Sequence, residues 1–496
     1  MNPGEGAAAW MGIDLGTQSV RVLLVDDSGT TLGSATAPLT SIRKGNRHEQ
    51  DPEQWWGAVV AASREALAGV PGVPVRGVAV DGTSGTILLA DGHGNPLTPG
   101  LMYDDGRAHL EADRVNDTGG PTWAALGYQR MQPSWALPKL VWLQAHHAAL
   151  VKAPGTQLMH QADFINRRLA GHNIPTDLSN ALKTGVHLME ESWPEGLLDT
   201  LGVPQSVLPP LVRSGTVIAG VGGDAAVQAG IPAGTPVISG ATDGCAAQIG
   251  AGALSTGDWN SVVGTTLILK GVSDTLLQDP LGVVYSHKGP DGRWLPGGAS
   301  SSGAGLIARD LAGRDLAALE EAARTVSPGS VVTYPLVSPG ERFPFAAPDA
   351  REFTLGVPGS DAERYAAILQ GLAYIERLCF DYLASLGAST SGRLTFTGGA
   401  TKSRYWSQLR ADVLGRAVEL PGNSEPALGM AVLAAAAVSG RSAAEAAAGM
   451  VRIRDTISPR PEYADRFGPG YLMFVSGLEE RGWLNPHTAA YARSNL

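Results

Sequence analysis

Apolar and polar positions alternate along this chain in a way that spells out strands, helices and turns in turn. From Trp10 to Leu32 the pattern predicts strand, turn, strand, with Asp27-Ser28-Gly29 closing the second strand. Gln54 to Leu67 carries the apolar spacing of an amphipathic helix. Val75 to Asp81 is again an apolar strand, and Thr86 to Leu89 another, followed by the turn Asp91-Gly92-His93-Gly94-Asn95. Strands and helices keep alternating to about residue 240. A second half then repeats the opening: Trp259 to Lys270 reads strand, turn, strand around Val263-Gly264-Thr265-Thr266. A long helix follows over Arg364 to Leu386, with Ile368, Leu372, Ile375 and Leu378 on one face, then a strand over Leu394 to Thr397. Helices are expected near Ser403 to Leu414 and over Glu425 to Val438, the latter stopping near Gly440.

The likeness of the two opening hairpins reads as a weak internal duplication, with two α/β domains of similar topology. The expected boundaries are 10–242 for the first domain, 243–440 for the second, and 441–496 for an extension packed on the first. Length agrees, since 496 residues exceed one ordinary core. At 44% hydrophobic and 17% charged the chain is of globular composition, and 64 glycines with 33 prolines imply many tight turns. A net charge of −10 speaks against nucleic acid or an anionic membrane as the main partner. The two cysteines, Cys245 and Cys379, are too few for a disulfide framework or a four-thiolate zinc site. Met1 to Trp10 lacks the basic and apolar runs of a signal peptide, and no uncharged apolar stretch reaches membrane-spanning length. A cytoplasmic protein is expected.

Two motifs carry the chemistry. In Gly12-Ile13-Asp14-Leu15-Gly16-Thr17, the glycine allows backbone amides to approach a phosphate, and the strand-end carboxylate of Asp14 can hold Mg²⁺. In Ile238-Ser239-Gly240-Ala241-Thr242-Asp243-Gly244, an apolar strand ends on an acid, the place where α/β sheets meet their ligands. Asp243 there can accept a proton from an attacking hydroxyl; its bland alternative is a helix N-cap. Gly398-Gly399-Ala400 after a strand suits a ligand lying flat on bare backbone, or a plain turn. Gly220-Val221-Gly222-Gly223-Asp224-Ala225 matches a dinucleotide fingerprint, but its helix is cut short at Gly230-Ile231-Pro232 and Asp224 would repel a pyrophosphate. No Walker A run is present.

These residues resemble those of the FGGY family of carbohydrate kinases, within the actin-like ATPase superfamily, over about residues 11 to 440. Asp105-Gly106-Arg107, Pro138-Lys139-Leu140-Val141-Trp142, Ala162-Asp163-Phe164, Gly340-Glu341-Arg342-Phe343-Pro344 and Trp406 fit the same pattern. The resemblance implies an α/β fold of two RNase H-like domains flanking a catalytic cleft, with ATP, Mg²⁺ and phosphoryl transfer to a sugar or polyol hydroxyl. It further implies Asp243 as catalytic base, Asp14 at the metal, and Gly16, Thr17, Gly264, Thr265, Gly398 and Gly399 around ATP. Where xylulose kinases of the family carry Gly-Gln-x-His-Gly, this chain has Asp81-Gly82-Thr83-Ser84-Gly85, a run similar to the D-ribulose kinase subgroup. Asn180-Ala181-Leu182-Lys183, Tyr285-Ser286-His287-Lys288 and Gly297-Gly298-Ala299-Ser300 fit that subgroup too.

A ketopentose offers a row of hydroxyls, for which Ser84, Asp105, Asp163, Lys183 and Asp243 are the candidate partners. D-ribulose is the expected acceptor, with D-xylulose, another pentulose or a polyol as the alternative. A reading of another class is an actin-like ATPase or sugar sensor without sugar transfer, against which Asp243 argues. The expected partners are sugar and ATP, with no nucleic acid and no membrane, and a homodimer is one assembly compatible with this.

Overall fold

The computed structural model describes residues 8–463 and 465–495. Residues 1–7, most of the N-terminal stretch read above, lie outside the described residues. The chain forms two compact units. The first holds the chain up to Gly252 with His287–Leu295 and Asn423–Arg452; the second holds Ala253–Ser286, Pro296–Gly422 and Ile453–Leu496.

The first unit is built on a six-stranded sheet: β1 (Ala9–Leu15), β2 (Ser19–Val25), β3 (Thr31–Pro38), β4 (Val75–Gly82), β5 (Val217–Gly220) and β6 (Pro236–Ile238). Their order is β3-β2-β1-β4-β6-β5. β1–β2 and β2–β3 run antiparallel, β1–β4 and β4–β6 parallel, and β5 lies antiparallel on the edge. β1 and β4 read as almost unbroken apolar runs because both faces of the sheet are covered. The helix Pro52–Ala68, capped by the Asp51 carboxylate on Glu53 N–H at 3.0 Å, packs on β2 and β3. The helix Pro426–Ser439 packs on β1 and β4. It comes so close that a Cβ at Gly12 would sit 1.7 Å from the Ala427 carbonyl oxygen.

The second unit repeats this plan. Its sheet is formed by β7 (Trp259–Val263), β8 (Leu267–Gly271), β9 (Tyr285–Lys288), β10 (Trp294–Ser300), β11 (Leu394–Thr397), β12 (Val418–Pro421) and β13 (Ile453–Ile457), in the order β9-β10-β8-β7-β11-β12-β13, with the end of β9 and the start of β10 falling in the first unit's His287–Leu295. From β10 onward, order and sense match β3-β2-β1-β4-β6-β5: two antiparallel pairs, two parallel pairs, and an antiparallel edge strand. The duplication suggested by the two hairpins is therefore one of whole sheets. The helix Asp361–Ser385, capped by Ser360, runs through the core with Ile368, Leu372, Ile375 and Leu378 all buried.

Three expectations are corrected. The chain does not divide at residue 242, because the helix Asp243–Gly250 stays with the first unit. So do residues 423–440, assigned above to the second domain, while residues 441–452, the start of the extension, join the first unit as expected. The reason is helix packing: Gly429 lets the two helices touch backbone to backbone, and a Cβ there would lie 2.0 Å from the Ala246 carbonyl oxygen. The tail from Ile453 belongs to the second unit rather than packing on the first. Its Tyr471 ring lies 5.9 Å from Tyr374 and its hydroxyl donates to Asp381 at 2.5 Å. The dinucleotide-like run, as expected from the break at Gly230-Ile231-Pro232, opens a helix of only seven residues, Gly223–Ala229, and its strand pairs antiparallel with β6. That is no βαβ crossover.

Candidate active site

Three apolar segments of the first unit end side by side on acids. Asp14 lies near the end of β1, in register with Arg21 of β2 on one side and Asp81 of β4 on the other. β6 is continued by a parallel bridge between Thr242 and Gly82, which brings Asp243 to the same sheet end as the first residue of the helix Asp243–Gly250. Thr242, not Asp243, occupies the cap position. The Asp243 carboxylate accepts from Gly244 N–H at 2.7 Å and is half-buried. A carboxylate in a helix's first turn is favoured by the helix dipole.

These carboxylates feel one another. Burial pushes the Asp14 carboxyl up to about 6; the Asp243 charge adds to this, and the Arg21 guanidinium, 3.6 Å away, opposes it. Asp81 is completely buried and is raised further, by burial first and then by the charges of Asp14 and Asp243. Its carboxyl lies against that of Asp14, yet neither oxygen receives a well-aligned hydrogen bond from a protein donor. Arg21 also approaches Glu425 at 3.6 Å. Such crowded buried negative charge calls for a cation. Among the described residues no three carboxylate, histidine or cysteine side chains converge to cage an ion. Mg²⁺ does not need a cage, since it keeps waters and takes one or two carboxylates along with substrate phosphates. The donor set therefore fits it.

The turn beside Asp14 is held from below. Gly16 N–H donates to the Ser19 carbonyl at 3.1 Å, and Gln50 donates to the Thr17 carbonyl at 2.7 Å while accepting from Trp55 Nε1 at 2.6 Å. The Tyr103 hydroxyl bonds the Thr17 side chain; burial and then the charges of Asp104 and Asp243 raise its pKa. The Tyr103 residue is 41% exposed. Asp14, Gly16, Thr17 and Asp243 are thus brought together, with Asp81 and Tyr103 as members that the motif reading left out. A signal for Asp81 was present, because an apolar strand reaching an acid with a glycine one or two residues on occurs at Asp14, Asp81 and Asp243.

The proposed sugar contacts separate into two groups. Ser84 and Lys183 meet: Lys183 Nζ donates to the Ser84 carbonyl at 3.0 Å and lies 5.8 Å from the Trp135 ring centroid. The Ser84 hydroxyl has no protein partner. Asp105 and Asp163 are each held by neighbouring donors. Asp105 accepts four bonds, from Arg107 N–H, Nε and Nη2 and from His48 N–H, at 2.7 to 3.1 Å. Burial opposes its charge, and the Arg107 bonds hold its pKa below the ordinary range. Asp163 is the third residue of the helix Gln161–Ala170 and closes a capping box, accepting from His160 N–H at 3.0 Å and facing His160 Nδ1 at 2.7 Å. These bonds give both carboxylates a structural role, Asp105 through both oxygens and Asp163 through Oδ2.

In the second unit, a cavity of about 710 Å³ is lined by Gly264, Ala304, Leu311, Tyr365, Gly399, Ala400 and Trp406, among others. This is within the usual range for small-molecule sites. Gly398 has φ +83 and its missing Cβ would be 2.6 Å from the Val263 carbonyl, so the strand β11 can turn tightly against β7 and open the cavity at Gly399. Gly264 and Gly399 line one space; Thr265 and Gly398 flank it in sequence. Its wall is largely alanine, leucine and aromatic, as a flat base requires. Among the described residues, no helix is long and apolar enough to cross a membrane.

A two-unit fold of duplicated sheets, with a carboxylate cluster in one unit and a base-sized cavity in the other, defines a phosphotransferase of the sugar-kinase type. Comparison with known proteins agrees. The N-terminal domain of the FGGY family of carbohydrate kinases matches residues 9–250 and its C-terminal domain residues 254–438. The chain is 30% identical to a xylulose kinase of Klebsiella pneumoniae, over 86% of this chain and 90% of that protein. It is also 30% identical to a xylulose kinase of Streptomyces rubiginosus, over 97% and 99%. The crystal structure of xylulose kinase from Rhodospirillum rubrum superposes with a TM-score of 0.84 at 26% identity, covering 95% of this chain and 98% of that one. This chain belongs to the FGGY family of carbohydrate kinases. It is an ATP-using enzyme that phosphorylates a sugar hydroxyl.

Proposed function

We propose that the protein transfers the γ-phosphoryl group of ATP to a hydroxyl of D-ribulose, with Asp243 as general base and Mg²⁺ at Asp14. The observation that carries this reading is the carboxylate cluster of Asp14, Asp81 and Asp243 at one sheet end, with Asp243 reachable by an incoming alcohol. Asp243 takes the hydroxyl proton as the sugar oxygen bonds to the γ-phosphorus and ADP leaves. Such base catalysis contributes about 10²–10⁴-fold. Bound Mg²⁺ would neutralise phosphate charge, and Asp14 would hold it. Thr17, braced by Gln50 and Tyr103, would line the phosphates, and Gly264 and Gly399 would admit the adenosine. Thr265 and Gly398 would shape the turns on either side. Ser84 and Lys183 would contact the sugar.

The case for D-ribulose rests on the 81–85 run, where Ser84 offers an unpaired hydroxyl and no histidine is present. D-xylulose is the second reading, favoured by the names of the relatives. ADP release with Mg·ATP over a panel of ketopentoses and polyols distinguishes them: kcat/KM for D-ribulose at least tenfold above D-xylulose is expected, and the reverse order overturns the assignment. Sugar-independent ADP release would favour a plain ATPase. Asp243→Asn should cut kcat by about 10²–10⁴-fold with ATP affinity kept; near-normal turnover removes Asp243 from the base role.

A further inference from the structure

Lys139 lies in the first turn of the helix Ala136–His146 and is completely buried. A lysine in such a place must give all three ammonium hydrogens to acceptors, or its charge is left unsolvated. Here each hydrogen has a carbonyl: Gly85 at 2.7 Å, Met102 at 2.8 Å and Leu101 at 3.2 Å. No carboxylate takes part in these three bonds. The acceptors belong to two segments, one the turn that carries Ser84, the other the end of the short strand Gly100–Leu101 with Met102, which leads into Tyr103; Ile87 pairs with Leu101 just beyond the turn. Gly85, at φ +96, is itself packed against the Lys183 side chain, whose Cδ would be 3.0 Å from a Cβ there.

We propose that Lys139 is a positioning residue for the acceptor sugar, its ammonium stapling the Ser84–Gly85 turn to the Leu101–Met102 segment. This inference rests on the acceptor site proposed above. The staple fixes the turn that carries Ser84 and packs on Lys183, without Lys139 touching sugar. Only the ammonium form can hold all three carbonyls, since a neutral amine has two hydrogens. Burial pushes its pKa down to about 7. The charged groups facing it are Asp105 and Asp104, which favour the ammonium, and Lys183 and Arg107, which oppose it.

The test uses the full-length enzyme with Lys139→Met and Lys139→Arg. Lys139→Met should raise the sugar KM at least tenfold and leave the ATP KM within twofold. Lys139→Arg, which restores several donors, should recover part of the loss. In the wild type the sugar KM should climb as pH rises past about 7, where the ammonium is lost, and this climb should be absent in Lys139→Met. Hydrogen exchange without ligands should be faster in residues 83–86 and 100–104 of Lys139→Met. Equal rises in both KM values, or an arginine variant no better than methionine, overturn the proposal. If the wild type phosphorylates no ketose, the kinase reading above fails instead. The exchange comparison still decides the staple: unchanged protection of the two segments rules it out. Should Lys139→Met not fold, Lys139→Gln takes its place in the same comparisons.

Discussion

Gly429→Ala tests whether the fold itself positions the base. Gly429 lies in the helix Pro426–Ser439 where it meets the helix that begins at Asp243. An added Cβ would sit 2.0 Å from the Ala246 carbonyl oxygen and 2.9 Å from the Gly250 nitrogen, both backbone atoms with no rotamer to escape into. Ordinary contact begins at 3.4 Å, so the helices must part by about 1.4 Å, the difference between 3.4 and 2.0 Å. Overpacking of this kind costs about 1–3 kcal/mol, and for a chain of this size each kcal/mol lowers the melting midpoint by about 2–4 °C or less. The helix that must move carries Asp243, and a misplacement near 1 Å at a reacting group can cost about 10²-fold in rate. Gly429→Ala should therefore lose kcat out of proportion to its loss of stability, as read by coupled ADP release beside calorimetry. Gly223→Ala is the control, since a Cβ there meets nothing within 4 Å and alanine is the better helix former by about 1 kcal/mol. A Gly429→Ala enzyme with full turnover and an unchanged midpoint refutes the close-packing argument.

Further outcomes are expected at Asp14 and at the second unit's cavity. Because burial raises the Asp14 carboxyl to about 6, kcat/KM should fall as pH drops below about 6, where Asp14 becomes protonated. The sign for stability is opposite: the folded state holds this proton more tightly than the unfolded chain, whose value is near 3.8, so stability from this group declines as pH rises from about 4 to 6. Asp14→Asn should accordingly melt higher than wild type at pH 8 while losing Mg²⁺-dependent turnover; a lower melting midpoint at that pH would count against the crowding of charge. Filling the second unit's cavity by Ala400→Phe should raise the ATP KM at least tenfold with the sugar KM unchanged, and unaltered ATP binding would show that the cavity is not the nucleotide's.

Much of the architecture was legible because its signals are local. β1, β7, β11 and the long helix Asp361–Ser385 follow from apolar period and from turns rich in glycine, which need no knowledge of distant residues. The repeated hairpins revealed the duplication for the same reason. Asp14 and Asp243 could be picked out because strand ends point to ligand crevices in any α/β sheet. The structural bonds of Asp105 and Asp163 could not be read from the sequence because their partners, Arg107 with His48 and the His160 backbone, are chosen by folding. A carboxylate's sequence neighbours do not reveal whether its lone pairs are free.

The sequence by itself determined the class of sheet, the two matching strand–turn–strand hairpins and the family, since these depend on short-range pattern and on motifs of fixed spacing. Tertiary structure alone decided that Asp81 joins Asp14 and Asp243, that the helix after Gly422 completes the first unit, and that the tail from Ile453 serves the second. Each of those outcomes is a contact between residues tens to hundreds of positions apart, set by backbone approach at glycines and by burial of charge, which no local pattern encodes.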